Sequence, residues 1–479
     1  MGEEFKNENQ PVGNKMATMP VGKLMINTGA PMILSMMLQA VYNIVDSYFV
    51  SNMPDSGGMV HVGESAVNAL TLAFPVQMLI VAFSVGTGVG VNVLLAKTLG
   101  QGESEKGGRV AGNALFLGGV IYLVTLLFGL FGVDVYLASQ TTDAVVIDMA
   151  AQYLRICCVV SMGMVYFSMF EKILQATGRS KLSTIAQITG ALTNIVLDPI
   201  MIYGLLGCPA MGIRGAAYAT VIGQIASAAL GAWFHFHSNK EVHITLAAIK
   251  PDGRIIGGIY TIGVPAIISQ AVMSVMTYGI NIIFAGVSSA YVVAYGIFYK
   301  IQQFVLFAAF GLRDAITPIV SYNYGRQDKA RVHAAVRWGM IYTLGIMAIC
   351  WAALEIFASP LAGAFSLSEA TNALCVQAMR VVSVSFIFAG VNIALQGVFQ
   401  ALGRGVESLI LSLLRQIVFV LPLAWLFARY AVGFVWISFV LAEVLTAAIA
   451  CVMYKSTDKK LFPAEDAGTN LTDQGGSQL

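Results

Sequence analysis

Long apolar runs dominate this chain and constrain its fold more than any other feature. A helix of about 20 apolar residues matches the thickness of a bilayer core. We count twelve such runs: 24–50, 67–96, 110–133, 150–171, 183–205, 213–235, 256–287, 293–322, 334–357, 374–400, 406–428 and 433–454. Only 11% of the residues are charged, against about 25% in typical soluble domains. The sequence therefore predicts an all-α polytopic membrane protein with twelve transmembrane helices. The net charge of +2 gives no reason to expect a nucleic-acid partner.

Basic residues are distributed unevenly over the segments between these runs. Twenty lysines and arginines lie at the termini and in every second loop, three lie in the alternate loops, and four lie within the runs. In membrane proteins the excess of basic residues lies in the cytoplasmic loops. We therefore predict that both termini lie in the cytoplasm. The membrane that we expect for this multi-pass protein is the plasma (inner) membrane.

The chain contains an internal duplication. Three pairs of sites share one shift of 225 residues: 175–179 with 400–404, Gly100 with Gly325, and Arg155 with Arg380. Near the start of each repeat, Gly-Ala-Pro-Met-Ile-Leu at 29–34 matches Gly-Val-Pro-Ala-Ile-Ile at 263–268. Six runs per repeat send both repeats through the membrane in the same direction, which is typical of parallel repeats around the membrane normal. We predict two parallel six-helix lobes.

The predicted organisation divides the chain into five segments. They are a cytoplasmic N-terminal segment at 1–23, an N-terminal six-helix lobe at 24–237, a cytoplasmic linker at 238–255, a C-terminal six-helix lobe at 256–455, and a cytoplasmic tail at 456–479.

Two carboxylic acids lie inside apolar runs of the first repeat. They are Asp46 in the first run and Asp198 in the fifth, and the matching positions of the second repeat hold Ile280 and Leu423. A charge at membrane depth costs about 2.5–3.5 kcal/mol on insertion scales, and such residues mark ion or substrate pathways. Helical spacing places each acid on a polar face, formed by Ser35, Gln39 and Asn43 with Asp46, and by Gln187 and Asn194 with Asp198. We expect the acids to lie at similar depth and to converge on one cavity of the first lobe.

The two acids could hold either a proton or Na⁺. A low dielectric favours the neutral form of a carboxyl group, and a nearby second carboxyl favours it further. Alternatively, two carboxylates, the amide oxygen of Asn194 and the hydroxyl of Thr220 would ligate Na⁺. The choice between the two ions stays open, with a preference for the proton because one buried acid is enough to bind it. We expect no other metal or cofactor. The simpler alternative is that each acid is a hydrogen-bonded packing residue, or is solvated near the outer mouth.

A substrate cavity is expected from polarisable and hydrogen-bonding side chains of the first and seventh runs: Met36, Gln39, Asn43, Gln270, Met273 and Tyr278. Methionine surfaces adapt to varied apolar ligands, and aromatic rings attract organic cations. Ordinary helix packing is the alternative. Glu443 is a second candidate for an ion or substrate role. We expect Arg313 to pair with Asp314, and Glu171 and Lys172 to lie at the membrane interface.

The motifs together resemble those of the multidrug and toxic compound extrusion (MATE) family. They are Ala-Pro-Met-Ile-Leu and Val-Asp-Ser-Tyr-Phe-Val in the first run, Leu-Gly-Gln-Gly after the second, Gln-Ala-Thr-Gly-Arg and Gln-Ala-Leu-Gly-Arg after the fourth and tenth, Asn-Ile-Val-Leu-Asp-Pro in the fifth, and Tyr-Asn-Tyr-Gly after the eighth. The last motif favours the MepA-like bacterial branch. The resemblance covers residues 20–455.

This resemblance implies antiport of cationic, amphipathic drugs against H⁺ or Na⁺, through outward-open and inward-open states. It carries Asp46, Asn194, Asp198 and, less directly, Thr220 over as the cation site of the first lobe. The NorM branch has an acid in its seventh run, where this chain has Gln270 and its apolar neighbours. A second-lobe cation site of that kind is therefore not expected.

The leading functional hypothesis is a multidrug efflux transporter of the lipid bilayer, working as a monomer on small organic cations. The alternative is a flippase for a lipid-linked precursor, from the same broader superfamily. A flippase cavity needs cationic residues for pyrophosphate, whereas the first lobe offers acids. A channel or receptor is the third hypothesis, and the duplicated lobes and embedded acids argue against it. The sequence has no nucleophile–base pair or phosphate-binding loop, so we do not expect an enzyme.

Overall fold

The structure is a computed structural model that describes residues 14–54, 62–363, 365 and 368–462. Within these residues the chain forms helices and short connections, with no strand. The α-helices are α1 (Lys15–Thr18), α2 (Val21–Ser51), α3 (Val62–Gly100), α4 (Ser104–Phe131), α5 (Val133–Ala138), α6 (Ala144–Val159), α7 (Met162–Ala176), α8 (Ser180–Tyr203), α9 (Ile213–Ser238), α10 (Gly253–Ala285), α11 (Ser289–Gly325), α12 (Lys329–Gly363), α13 (Glu369–Ser383), α14 (Phe386–Ala401), α15 (Gly405–Leu413), α16 (Val420–Tyr430) and α17 (Ile437–Leu461).

The described helices account for the twelve predicted spans, although two of those spans are broken. Ten stretches are long and apolar enough to cross a membrane alone, with α15 and α16 joined as one stretch by a π-helix at Leu414–Val418. The fourth and tenth spans are each a pair of shorter helices, with a bend of 45° between α6 and α7 and of 52° between α13 and α14. At the second break the hydroxyl of Ser385 donates to the carbonyl of Val382 at 2.6 Å. Such a bond competes with the helical hydrogen-bond ladder.

Both ends of the described chain lie on one side of the helix bundle, called the terminal side below. Arg331, at the start of α12, donates hydrogen bonds to the carbonyls of Met16 at 2.8 Å and Met19 at 2.9 Å. Lys329, on the same turn, lies 3.5 Å from the carbonyl of Phe462, which directly follows α17. The opposite end of the bundle, where α2 ends at Ser51, is called the far side.

The two lobes, α2–α9 and α10–α17, meet through reciprocal contacts that follow the duplication. Helix α2 packs on α11, and α3 packs on α10 and α11. A Cβ atom on Gly100 would lie 2.0 Å from the Tyr322 carbonyl oxygen, and one on Gly325 would lie 2.2 Å from that of Lys97. The shift of 225 residues relates Lys97 to Tyr322 and Gly100 to Gly325. The lobes therefore approach each other by a pseudo-twofold arrangement that glycine permits.

The hydrophobic core is divided differently on the two sides of the bundle. On the terminal side, residues of both lobes, such as Leu95 and Ile259, belong to one buried cluster. Toward the far side each lobe has its own cluster, which includes Leu137 in the first lobe and Trp436 in the second. The lobes are therefore closed against each other on the terminal side and part toward the far side.

Candidate ion and substrate sites

Hydrogen bonds fix how α2 and α8 lie against each other. Gln187 accepts a bond from the Ser35 hydroxyl and donates one to Gln39 Oε1 at 3.1 Å. Further along, the hydroxyl of Tyr203 donates to the carbonyl of Phe49 at 2.7 Å. These pairs are separated by 152, 148 and 154 residues. The two helices therefore run parallel in a nearly constant register.

This register places the two acids of the first lobe at the same level. Asp46 and Asp198 are 152 residues apart, which is the separation of Ser35 and Gln187. Asp46 is half-buried, whereas Asp198 is fully buried. The side chain of Asn43, predicted on the same face of α2, lies outside the described part of the structure.

Asp198 shares its surroundings with two residues that the sequence also predicted. The amide nitrogen of Asn194 donates to Asp198 Oδ1 at 3.3 Å and to the Thr220 hydroxyl at 3.4 Å. Thr220 reaches this position because α8 and α9 touch at glycines. A Cβ atom on Gly223 would lie 2.6 Å from the Gly190 carbonyl oxygen. The structure thus brings Asp198, Asn194 and Thr220 together, with Asp46 on the neighbouring helix.

Three oxygen atoms at this site have no hydrogen-bond donor among the described residues: Asp46 Oδ1, Asn194 Oδ1 and Asp198 Oδ2. Leaving a buried acceptor unpaired costs about 1–3 kcal/mol, and more for a charged group. A proton on a carboxyl group removes this cost by neutralising the charge and supplying a donor. A set of oxygen atoms without donors also suits a hard cation such as Na⁺. The site is therefore chemically suited to either ion.

A separate cleft, open to solvent, lies mainly in the second lobe. Residues of α3 such as Val85 also line it, so it borders the first lobe. Met273 and Met276 supply part of its apolar wall. Six glutamines line it: Gln270, Gln302, Gln303, Gln396, Gln400 and Gln416. A lining of apolar walls with a few hydrogen-bonding side chains is typical of sites for small organic ligands.

The predicted substrate cavity is divided by this arrangement. Gln270 and Met273, two residues of the predicted substrate cavity, line the cleft. Tyr278 is 70% exposed and is not part of its lining. Met36 and Gln39 also lie outside the lining. Gln39 instead accepts a hydrogen bond from Gln187 on α8. The sequence prediction missed the other five glutamines, although amides within apolar spans were a visible signal.

Glu443 also lines the cleft, but its carboxylate is already hydrogen-bonded within the protein. Arg415 donates to its Oε1 from Nη2 at 2.8 Å and from Nε at 3.0 Å. Asn392 donates to its Oε2 at 2.6 Å. Arg415 is held by the π-helix that interrupts the eleventh span, and π-helical turns occur frequently at functional sites. Glu443 therefore acts as the partner of Arg415 and not as a free acid.

Arg313 and Asp314 pair as the sequence suggested, but Lys172 is not where it was expected. Arg313 donates to Asp314 Oδ1 from Nη2 at 2.9 Å and from Nε at 3.1 Å. Lys172 is 3% exposed, and its ammonium group lies 2.9 Å from Asp314 Oδ2 in the other lobe. The prediction of an interfacial Lys172 was therefore wrong. Lys172 lies on α7, the second helix of the broken fourth span, and points inward, where Gly88 leaves room for it.

Comparison with known proteins identifies the family. The MatE family model matches residues 31–200 and 265–426. Multidrug export protein MepA of Staphylococcus aureus strain MRSA252 is 24% identical over 436 residues, which cover 91% of this chain and 93% of that protein. The MepA of Staphylococcus saprophyticus is 23% identical over 434 residues, covering 90% and 93%.

Solved structures agree with this match. One is described as the outward-facing conformation of a multidrug resistance MATE family transporter of the MOP superfamily. It superposes with a TM-score of 0.87 at 25% identity, covering 94% of this chain and 98% of the other. A MOP superfamily transporter from Pyrococcus furiosus, whose description proposes a different function from reversed pocket polarity, gives a TM-score of 0.86 at 25% identity over the same shares. The family model covers more than half of the chain, and this protein is a multi-pass membrane protein of the MATE (MatE) family.

Proposed function

We propose that this protein exports cationic, amphipathic compounds by antiport with H⁺ or Na⁺, through alternating access of its two lobes. One observation carries the proposal. Asp198 is fully buried, has an oxygen atom without a donor among the described residues, and lies level with Asp46 on a parallel helix. A buried carboxylate that lacks partners is stabilised by binding a cation or a proton. The names of the MepA relatives, which are multidrug export proteins, support multiple drugs as the cargo class.

Antiport follows if the ion binds to the acids in one state and is released from them in the other. When the lobes part, water reaches the acid site and a bound ion can exchange with the solvent. The proton is the simpler coupling ion, because protonation of Asp198 alone removes the buried charge. Na⁺ would require further oxygen ligands, for which Asn194 and Thr220 are the candidates.

We propose that most of the cargo molecule binds in the cleft of the second lobe. Its methionines offer polarisable surface, and its glutamine side chains supply hydrogen-bond donors and acceptors. With both termini in the cytoplasm, as the basic loops predict, the terminal side faces the cytoplasm and the cleft opens outward. The structure then corresponds to the state in which cargo leaves and the coupling ion enters.

A flippase for a lipid-linked precursor receives less support from the charges of the cleft. A pyrophosphate group needs unpaired cationic side chains. Arg415 is bound to Glu443, and Arg313 is bound to Asp314. Both guanidinium groups are thereby neutralised, which leaves the cleft nearly uncharged and more suitable for an organic cation than for a diphosphate.

The proposal is tested with purified protein in liposomes and tetraphenylphosphonium as the probe. The membrane potential is clamped with K⁺ and valinomycin. A pH gradient with the acidic side inside the liposomes, or a Na⁺ gradient with the higher concentration inside, is then imposed separately. We expect one of the two gradients to drive uphill accumulation of the probe. If neither gradient does so for this probe or for ethidium, the antiport proposal is wrong.

The role of the buried acid is tested in the same assay. Asp198→Asn keeps the size and hydrogen-bonding capacity of the side chain but removes the titratable group, so coupled uptake should be lost. Asp148→Asn is the matched control, because Asp148 is exposed and bonds only to Gln152 on its own helix among the described residues. Wild-type coupled uptake by Asp198→Asn would exclude this acid from ion coupling.

A further inference from the structure

The interface between the lobes contains one charged site that breaks its pseudo-twofold symmetry. The shift of 225 residues pairs Gly88 with Arg313, and Lys172 with Gly397. In the structure, a Cβ atom on Gly88 would lie 2.8 Å from Lys172 Cγ, and one on Gly397 would lie 2.6 Å from Arg313 Cγ. Each lobe therefore holds one long cationic side chain over one glycine, with the cation and the glycine exchanged between equivalent helices. Asp314 has Val89 at the matching position, so the charge pattern is not duplicated.

A buried ion pair joins the two lobes at this site. The Lys172 ammonium group on α7 lies 2.9 Å from Asp314 Oδ2 on α11. The side chains are 4% and 7% exposed. Lys172 also donates to Gln175 Oε1 at 3.0 Å. A hydrogen bond between charged groups in such a dry place is stronger than one at the surface.

Each lobe also supplies a second partner for its own member of the pair. Within the first lobe, Glu171 Oε1 lies 3.8 Å from the Lys172 ammonium group and accepts a bond from Gln175 at 2.8 Å. Within the second lobe, Arg313 binds Asp314 through two nitrogen atoms. Each lobe is thus neutral at this site by itself. A buried ion pair is costly to break because a charge is left without a partner. Separation of the lobes breaks one ion pair here but leaves neither charge unpaired.

The ion pair lies between the cleft and the closed terminal side. Val89 and Arg313, the neighbours of Gly88 and Asp314, line the cleft. The close backbone approaches at Gly100 and Gly325 lie further toward the terminal side. A pair in this position forms when the terminal side closes and must break when that side opens.

We propose that Lys172 and Asp314 form a releasable latch that holds the terminal side shut, with Glu171 and Arg313 taking over as their partners when the lobes separate. The proposal rests on the two-state cycle of the proposed function. It makes Lys172 and Asp314 positioning residues, which set the balance between the two states without contacting the cargo.

The latch is tested by distances between spin labels, measured by pulsed electron paramagnetic resonance on the full chain in lipid nanodiscs. The six native cysteines are replaced by alanine. Labels at Glu105→Cys and Ala330→Cys report the terminal side, and labels at Ser139→Cys and Tyr430→Cys report the far side. All four positions are exposed. Conditions are chosen under which the parent protein populates both states.

Two variants are expected to shift the balance in opposite directions. Lys172→Met should raise the ratio of terminal-side-open to closed molecules by about 10-fold, the effect of losing one charged hydrogen bond in the closed state. Glu171→Gln should lower that ratio, because it removes the partner on which Lys172 depends in the open state. Lys172→Arg should stay close to the parent protein. Lys106→Met is the matched control, since Lys106 pairs with Glu103 on the surface of one lobe.

Opposite shifts for Lys172→Met and Glu171→Gln support the latch, since a merely structural role for this cluster would give shifts of one sign. Shifts in the same direction, or none, overturn it. If Lys172→Met does not fold, Asp314→Asn removes the same bond from the other lobe and is expected to shift the ratio in the same direction. The distances are measured without cargo, so a failure of the transport assay counts against the proposed function and not against the latch.

Discussion

A methyl group at Gly100 should destabilise the state in which the lobes are closed on the terminal side. Gly100 is the last residue of α3, and a Cβ atom there would lie 2.0 Å from the carbonyl oxygen and 2.9 Å from the carbonyl carbon of Tyr322. Ordinary van der Waals contact begins at 3.4 Å. The atoms in the way belong to the backbone of α11, so no change of rotamer can relieve the clash. Gly100→Ala must therefore push the two helices apart.

The size of the effect follows from the cost of that displacement. Inserting a methyl group into a well-packed contact costs about 1–3 kcal/mol. This cost falls on the closed terminal side alone, because the contact between Gly100 and Tyr322 is absent when the lobes separate there. Since about 1.4 kcal/mol changes an equilibrium constant tenfold, the ratio of terminal-side-open to closed molecules should rise about 5- to 150-fold. Gly325→Ala should act similarly, because its Cβ atom would lie 2.2 Å from the Lys97 carbonyl oxygen.

The assay is the spin-label distance across the terminal side, combined with coupled uptake of tetraphenylphosphonium. Gly100→Ala should raise the share of long terminal-side distances and slow coupled uptake, since the proposed cycle must pass through the closed state that the methyl group disfavours. Gly257→Ala is the matched control, because Gly257 is a helical glycine with nothing within 4 Å of its Cβ position. Terminal-side distances and uptake in Gly100→Ala that match those of the Gly257→Ala control would refute the close approach of α3 and α11.

Three further predictions concern the first lobe. Thr220→Val should weaken Na⁺-driven uptake about tenfold, because a lost ligand bond of roughly 1.4 kcal/mol changes an equilibrium constant by that factor. Proton-driven uptake should persist, since one acid suffices for a proton. A loss of both kinds of uptake would show that the hydroxyl acts in another way. Gln187→Leu removes the bonds that join α8 to α2 and should lower the free energy of unfolding in detergent by about 1–3 kcal/mol, and an unchanged thermal midpoint would contradict this. Asp143→Ala removes the cap of α6, where Asp143 accepts bonds from the amides of Val145 and Val146. That change should cost about 1 kcal/mol of stability without altering uptake.

The span count and the polar face on α2 were predictable because they depend on local periodicity. A run of apolar residues shows its length directly, and polar residues spaced at helical intervals share one face of a helix. Ser35 and Gln187 were both assigned to such faces, and they bond to each other in the structure. The similar depth of Asp46 and Asp198 followed because both spans run in the same direction through the membrane. The roles of these residues remain predictions.

The broken spans and the position of Lys172 could not be read from the sequence. Mean hydropathy over a window is the same for a straight span and for one that bends at Val160 and Ser161. A lysine one turn from the end of a span can extend to the membrane surface or turn inward. Only the acid that faces it across the lobe interface, Asp314, decides between these positions, and that acid is 142 residues away in the chain.

The cleft was predicted in part for a similar reason. Gln270 and Met273 were expected to line a cavity because their side chains are hydrogen-bonding and polarisable, respectively. The glutamines of α11, α14 and the π-helix converge on the same space only through tertiary packing. A π-helix adds one residue to a turn, so it rotates Arg415 and Gln416 to positions that a regular helical period does not predict.

A backbone contact between α2 and α11 connects the two charged sites of the proposed cycle. Ile33 on α2 lies two residues beyond Pro31, and a Cβ atom on Gly311 of α11 would lie 2.8 Å from the Ile33 backbone. A change in the bend of α2 at Pro31 would therefore reach α11 through backbone contact, which side-chain rotation cannot absorb. Asp314 lies less than one turn beyond Gly311 on α11, and Asp46 lies further along α2. In the proposed cycle, an ion bound at Asp46 and the proposed latch at Asp314 would act on two helices that touch directly. Both would then bias the same movement of α2 against α11, which is the physical condition for coupling between two sites.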